Sequence, residues 1–226
     1  KENVGQLING WIQERAQDPG AFWSQHPAVQ QRQRTGDIAG ARDQMLVLQR
    51  QAGVEPFNYA VLSQQERTSE ISYLLKAQPN EVAGRLQSLR TRYGGQNGEF
   101  RGQADIVFRQ LTTGEGALPP EYMFAARALG TPAETKILNA LKLDNKVLGN
   151  LAPSLQKGVS FKDIEGTAMQ MGDTYRKAIT GGMTNRLATF DAARTLVAKM
   201  AAADLLNTNG TDTTGAVKRA WQDVMQ

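Results

Sequence analysis

Apolar residues recur at spacings of three and four along most of the chain, the pattern of helices with one buried face. Val4, Leu7, Ile8 and Trp11 form one such set, and Ile38, Ala41, Met45 and Leu48 another. Val82, Leu86, Leu89 and Tyr93 repeat it, as do Phe100, Ala104, Val107, Phe108 and Leu111, then Ile164, Ala168, Met171, Tyr175 and Ile179, then Leu187, Phe190, Val197 and Met200. Period-two alternation is nowhere sustained. The short run Met45 to Leu48 keeps helical spacing with its neighbours. The pattern predicts an all-α fold, an irregular multi-helix bundle of about ten helices. They are expected near 3–17, 19–25, 27–34, 37–52, 63–78, 80–93, 98–112, 119–143, 160–180 and 183–207, with a stub from 213.

Helix-start chemistry sharpens these bounds. Ser63 with Glu66, and Thr131 with Glu134, fit a capping box, in which a hydroxyl accepts from the third helical N–H and the Glu reaches back. Pro132 is expected at the first helical position, where its missing N–H is no loss. Asp18 before Pro19, and Asn80 after Pro79, read as helix openings of the same kind. Gly94-Gly95 and Gly181-Gly182 read as helix stops.

Residue choice changes near position 112. Of 21 Gln, 17 fall at or before Gln110, and Arg outnumbers Lys 11 to 2 before that point, whereas Lys outnumbers Arg 8 to 5 after it. The segment Thr112 to Pro120 (TTGEGALPP) punctuates the change, so the expected organisation is a Gln/Arg-rich subdomain over 1–112 and a Lys-richer one over 119–226. The chain begins at Lys1 and ends in a helical pattern without a cap, and is expected to be a piece of a longer protein. No apolar run approaches the roughly 18 residues of a membrane span, and the start, KENVGQLING, has no signal-peptide core.

The absence of cysteine excludes disulfides and thiolate chemistry, and the single histidine, His26, leaves little room for a triad or an imidazole metal site. No cofactor, metal or catalytic residue is assigned. A net charge of +4 is too small to identify a nucleic-acid binder. Phe22, Trp23 and His26 read as an aromatic knot packing the first helices, or as a surface on which a sugar or base stacks. Arg85, Arg90, Arg92, Arg101 and Arg109 surround Tyr93 and Phe100, which reads as a solvated basic face or as a contact for a nucleic-acid strand. Gly94 to Gly98 lacks the Lys-Ser/Thr of a phosphate loop and is a turn. Asn207 to Gly215 lacks the closing Glu of a calcium loop and is expected to be a flexible linker. The pairs Asp163 with Glu165 and Glu115 with Glu121 read as surface or capping groups, with a glycosidase dyad as the alternative.

The phrases DPGAFWSQHPAV (Asp18 to Val29), ARDQMLVLQRQAGV (Ala41 to Val54), YAVLSQQERTSEISYLL (Tyr59 to Leu75), EVAGRLQSLRTRYGG (Glu81 to Gly95) and LPPEYMFAARALGTP (Leu118 to Pro132) occur in an order similar to a region of large internal virion, or ejection, proteins of tailed phages and prophages. Many members of that family carry a lytic transglycosylase domain elsewhere in the chain. The likeness covers about residues 18 to 132 and extends more loosely to about 206. The family's transglycosylase uses a Glu followed by Ser, and no Glu-Ser dipeptide occurs here, so no catalytic residue carries over. The resemblance implies a noncatalytic structural module located in the virion and delivered to the host envelope or periplasm. Its implied partners are copies of itself and other virion proteins, with transient DNA contact and contact with the host envelope. The alternatives are part of a peptidoglycan-degrading phage enzyme and a helical nucleic-acid-binding module.

Overall fold

The computed structural model describes residues 4–93, 103–143, 148, 159–180 and 186–225. Among them are twelve α-helices and no strand. The helices are α1 (Val4–Gln17), α2 (Pro19–Ser24), α3 (Pro27–Arg34), α4 (Ile38–Gln51), α5 (Gln64–Lys76), α6 (Pro79–Tyr93), α7 (Gln103–Thr112), α8 (Glu121–Ala128), α9 (Glu134–Leu141), α10 (Phe161–Thr180), α11 (Arg186–Thr208) and α12 (Thr213–Val224). One 3₁₀ turn, Pro56–Asn58, precedes α5. The all-α expectation holds. The glycine pairs 94–95 and 181–182 lie outside the described residues.

The chain forms two compact units, one of residues Lys1–Lys76 with Ser88–Leu118, the other of Ala77–Gln87 with Pro119–Gln226. In the first, α2, α3 and α4 pack around Trp23, Val29, Ala41 and Met45, with Phe22, Leu48 and Val54 completing the cluster. Tyr59 to Leu62 is a buried non-helical segment, so its peptide groups need partners other than water. Two glutamine side chains provide them. Gln49, fully buried on α4, accepts from Ala60 N–H at 2.8 Å, and its amide donates to Ala60 C=O at 2.8 Å. Gln110 of α7 accepts from Val61 and Leu62 N–H at 2.8 and 3.0 Å, and donates to Leu62 C=O at 3.2 Å.

Charged groups close the helix ends around this segment. One carboxylate serves two helices: Asp18 Oδ1 accepts from Ala21 N–H in α2 at 3.0 Å, and its Oδ2 accepts from Gln64 N–H in α5 at 2.9 Å. Gly20 follows because α2 lies directly on the backbone, where a Cβ would overlap the Leu62 carbonyl. The Ser63–Glu66 box forms as expected, with Ser63 N–H donating to Glu66 at 2.8 Å and Glu66 N–H to the Ser63 hydroxyl at 3.2 Å. Arg67 donates to the carbonyls of Gln110 and Thr113, both at 2.7 Å, satisfying the end of α7.

In the second unit α10, α11 and α12 pack pairwise, and α8 and α9 lie against α11. Alanines at 192, 193, 198, 201 and 202 keep α11 slim and its axis close to its neighbours. Trp221 of α12 is completely buried, stacks on Tyr175 and Phe190 with centroids 5.3 and 6.3 Å away, and donates its indole N–H to Ala168 C=O at 3.3 Å.

Four local expectations are corrected. The single helix expected over 119–143 is two, because Gly130 takes a positive φ of 80° and Pro132 follows two residues later. The Thr131 box is displaced: Glu134 reaches past Thr131 to accept from Gly130 N–H at 2.7 Å, and the Thr131 hydroxyl meets Ala133 N–H. Asn80 does not cap α6, since Pro79 is already helical and Glu81 closes the start by accepting from Gln78 N–H. The stretch Asn207 to Gly215 holds the end of α11 and the start of α12, so the connection is confined to residues 209–212. Asn209 ends α11 in the left-handed region, Gly210 N–H bonds Leu205 C=O, and Asp212 caps α12 through Gly215 N–H at 2.8 Å.

Replacing Gln49 by Met leaves a buried N–H and a buried C=O of Ala60 unpaired, so the variant is expected to lose about 2–5 kcal/mol. Urea unfolding checks this; a loss under about 1 kcal/mol would show that the segment is not held by Gln49. The caps Asp37 and Asp163 make a second prediction. Asp37 is held below the usual carboxylate range first by Gly40 N–H and then by Arg32, and Asp163 first by the Ser160 hydroxyl and then by its N–H. A carboxyl depressed on folding stabilises above its unfolded pKa and loses that contribution as pH falls through the folded value. The Asp37→Asn, Asp163→Asn double variant should therefore melt below the parent at neutral pH and converge with it on acidification. A gap that persists unchanged in acid would contradict the assignment.

Candidate functional site

The arginines read as a basic face do not form one common surface in the first unit. Arg85 belongs to the second unit, whereas Arg90, Arg92 and Arg109 belong to the first, and Arg101 and Phe100 lie outside the described residues. Arg85 and Arg90 are half-buried on α6. Arg109 turns inward, donating to Pro56 C=O at 2.9 Å with its guanidinium 5.1 Å from the Phe57 ring centre. Burial lowers its pKa, and the charge of Asp105 opposes that shift. Arg109 thus tethers the 3₁₀ turn to α7.

Arg92 has a companion that the sequence did not reveal. Arg42, on α4, lies over the Tyr93 ring at 4.3 Å from its centre, while the Arg92 guanidinium is 5.5 Å from the same centre. Arg42 also donates to Arg92 C=O at 3.4 Å. Burial pulls the Arg42 pKa down and pushes that of Tyr93 up, and the two guanidiniums oppose the shift of the phenol. Arg42 and Arg92 line a polar cleft of about 620 Å³ whose wall also includes Asp18, Ser63 and Glu66.

A second cleft, of about 540 Å³, is mainly apolar. Trp11 and Ile12 of α1, Phe22 and Trp23 of α2, and Pro27 of α3 line it. Trp11 and Ile12 are 61% and 53% exposed, unusual for side chains of this size, whereas Trp23 is buried and meets Phe22 edge to face at 5.1 Å. His26 is not packed into the core with Trp23, but it lines this same cleft beside Phe22 and Trp23. α2 ends at Ser24, and His26 is an exposed cap whose Nδ1 accepts from Ala28 N–H at 3.3 Å, leaving the neutral ring's proton on Nε2. Sequence reading missed the role of Trp11, whose place on the apolar stripe predicts burial.

In the second unit a smaller cleft, about 220 Å³, is edged by the ion pairs Lys136–Asp223 and Arg219–Asp204, both at 2.7 Å, so its charges are already matched. Of the carboxylates considered as a dyad, Asp163 caps α10 by accepting from Ser160 N–H at 3.0 Å, and Glu165 is exposed. Glu115 and Glu121 fall in different units. Among the described residues no three metal-ligating side chains converge, and no helix is long and apolar enough to cross a membrane.

Comparison with protein-family models, curated proteins and solved structures gives no match for this chain.

The two tryptophans of the apolar cleft should respond differently to truncation. Trp23→Ala is expected to cost about 3–5 kcal/mol as a core deletion, and Trp11→Ala to stay within about 0.5 kcal/mol. Denaturant titration checks both; a comparable loss from Trp11→Ala would mean that Trp11 supports the core and is not a free surface.

Proposed function

We propose that this chain is a noncatalytic helical module of an internal virion protein of a tailed phage or prophage, built to assemble with copies of itself or neighbouring virion proteins during genome delivery through the host envelope. The observation that carries this reading is the ordered set of phrases from Asp18 to Pro132. Its support lies in what those phrases do: Asp18 caps two helices, Gln49 pins Ala60, Val54 N–H closes α4 on Gln49 C=O, and Ser63 with Glu66 opens α5. The likeness therefore falls on residues that specify this arrangement of helices.

The exposed Trp11 and Ile12 beside an apolar cleft favour a protein neighbour, since aromatic and aliphatic anchors dominate such contacts. The nucleic-acid alternative draws less support, because Arg109 is engaged with its own backbone. The enzyme alternative needs a glutamate as acid, and Glu66, Glu81 and Glu134 each accept from a backbone N–H at a helix start.

Mass spectrometry of purified virions of the parent phage tests the reading. Peptides of this chain are expected in intact particles and depleted from particles that have ejected their DNA. Their absence from intact virions would overturn the proposal. Clearing of purified peptidoglycan by this chain, lost in one Glu→Gln variant, would replace it with the enzyme reading.

A further inference from the structure

The polar cleft of the first unit contains two positive groups without negative partners among the described residues. Among the described residues neither Arg42 nor Arg92 has a carboxylate within ion-pair distance. Their positions bring like charges together at one tyrosine ring, and Arg42 is partly withdrawn from water. Desolvating a guanidinium beside a second one is unfavourable unless an anion completes the group.

The two carboxylates in the cleft wall are held elsewhere. Asp18 accepts from Ala21 and Gln64 N–H, and Glu66 accepts from the Ser63 N–H and hydroxyl. Glu66 is near enough for its charge to favour protonated Arg42, yet its hydrogen bonds hold it on the start of α5. The formal charge of Asp18, Glu66, Arg42 and Arg92 taken together is zero, so the cleft does not attract a polyanion. A single planar carboxylate meets the guanidiniums locally, through paired N–H donors. Ile38, Met45 and Val61 supply an apolar side to the same cleft, and the Gln33 and Gln65 side chains supply amide donors and acceptors of the kind that bind a peptide backbone.

We infer that this cleft binds an acidic peptide segment, with the carboxylate of a Glu or Asp held by Arg42 and Arg92 and an adjacent apolar side chain resting on Ile38. The site does not depend on the virion reading, because its chemistry is that of an acidic protein partner of any origin.

The test is a nuclear magnetic resonance titration of the 226-residue chain, following the arginine Nε–Hε signals. The probe is a blocked peptide, Gly-Leu-Glu-Leu-Gly, compared with its Glu→Gln counterpart, with inorganic phosphate and with a short oligothymidylate. The Glu peptide is expected to shift the Arg42 and Arg92 signals saturably. Its Gln counterpart, and separately the variants Arg42→Gln and Arg92→Gln, should bind about tenfold more weakly or worse, as for loss of a charge-assisted hydrogen bond. Arg50→Gln, outside the cleft wall, should leave the affinity unchanged. Arg92 is exposed, so its variant keeps the test valid if Arg42→Gln fails to fold. Equal binding of the Gln peptide, or no saturable shift, would overturn the inference. Tighter binding of oligothymidylate would reassign the cleft to nucleic acid, and phosphate binding as tight as the peptide's would reduce it to a general anion site.

Discussion

Four buried residues without helix or sheet, Tyr59 to Leu62, set the constraint on which the first unit depends. Peptide groups removed from water must be paired, and a segment lying among helices has no neighbouring strand to pair with. Gln49 and Gln110 substitute for strands by presenting a primary amide, which has the donor and acceptor of a peptide group. Each glutamine fixes its own helix relative to the segment, so α4 and α7 are positioned by hydrogen bonds as well as by apolar packing. Gly20 adds a third restraint, because only a residue without a Cβ lets α2 rest on the Leu62 carbonyl. Among the described residues no buried side-chain polar atom lacks a partner, consistent with a core in which polar groups are used structurally.

The second unit meets a simpler requirement. Its long helices satisfy their own backbones, so their packing is decided by side-chain volume. Alanines along α11 let neighbouring helices approach, and Trp221 fills the remaining space between α10 and α11, with its one polar atom bonded to Ala168 C=O. Glutamine therefore has little to do there, which gives a physical reason for its concentration before residue 112.

The surface chemistry of the first unit follows from the same arrangement. The start of α5 engages the Asp18 and Glu66 carboxylates through backbone N–H groups, and Arg42 and Arg92 lie around Tyr93 without a carboxylate at ion-pair distance among the described residues. On another side, α1 presents Trp11 and Ile12 above Phe22 instead of burying them. One face is thus suited to a carboxylate and the other to apolar side chains.

Features settled within a turn or two of helix are legible in residue order alone. Apolar periodicity located the helices, Ser63 with Glu66 and Asp18 with Pro19 located two of their starts, and the absence of cysteine bounded the chemistry. Where local signals compete, as at Gly130, Thr131 and Pro132, apolar periodicity runs on across a break that a positive φ and a proline impose together. Glutamine enrichment was visible, but not its use, because Gln49 meets Ala60 across 11 residues and Gln110 meets Leu62 across 48. Arg42 and Arg92 are 50 residues apart, and nothing in the local pattern of either arginine marks it as the other's neighbour. Those pairings are set by packing, since a buried polar group is satisfied by whichever chain segment comes within hydrogen-bond reach, and sequence spacing does not encode that distance.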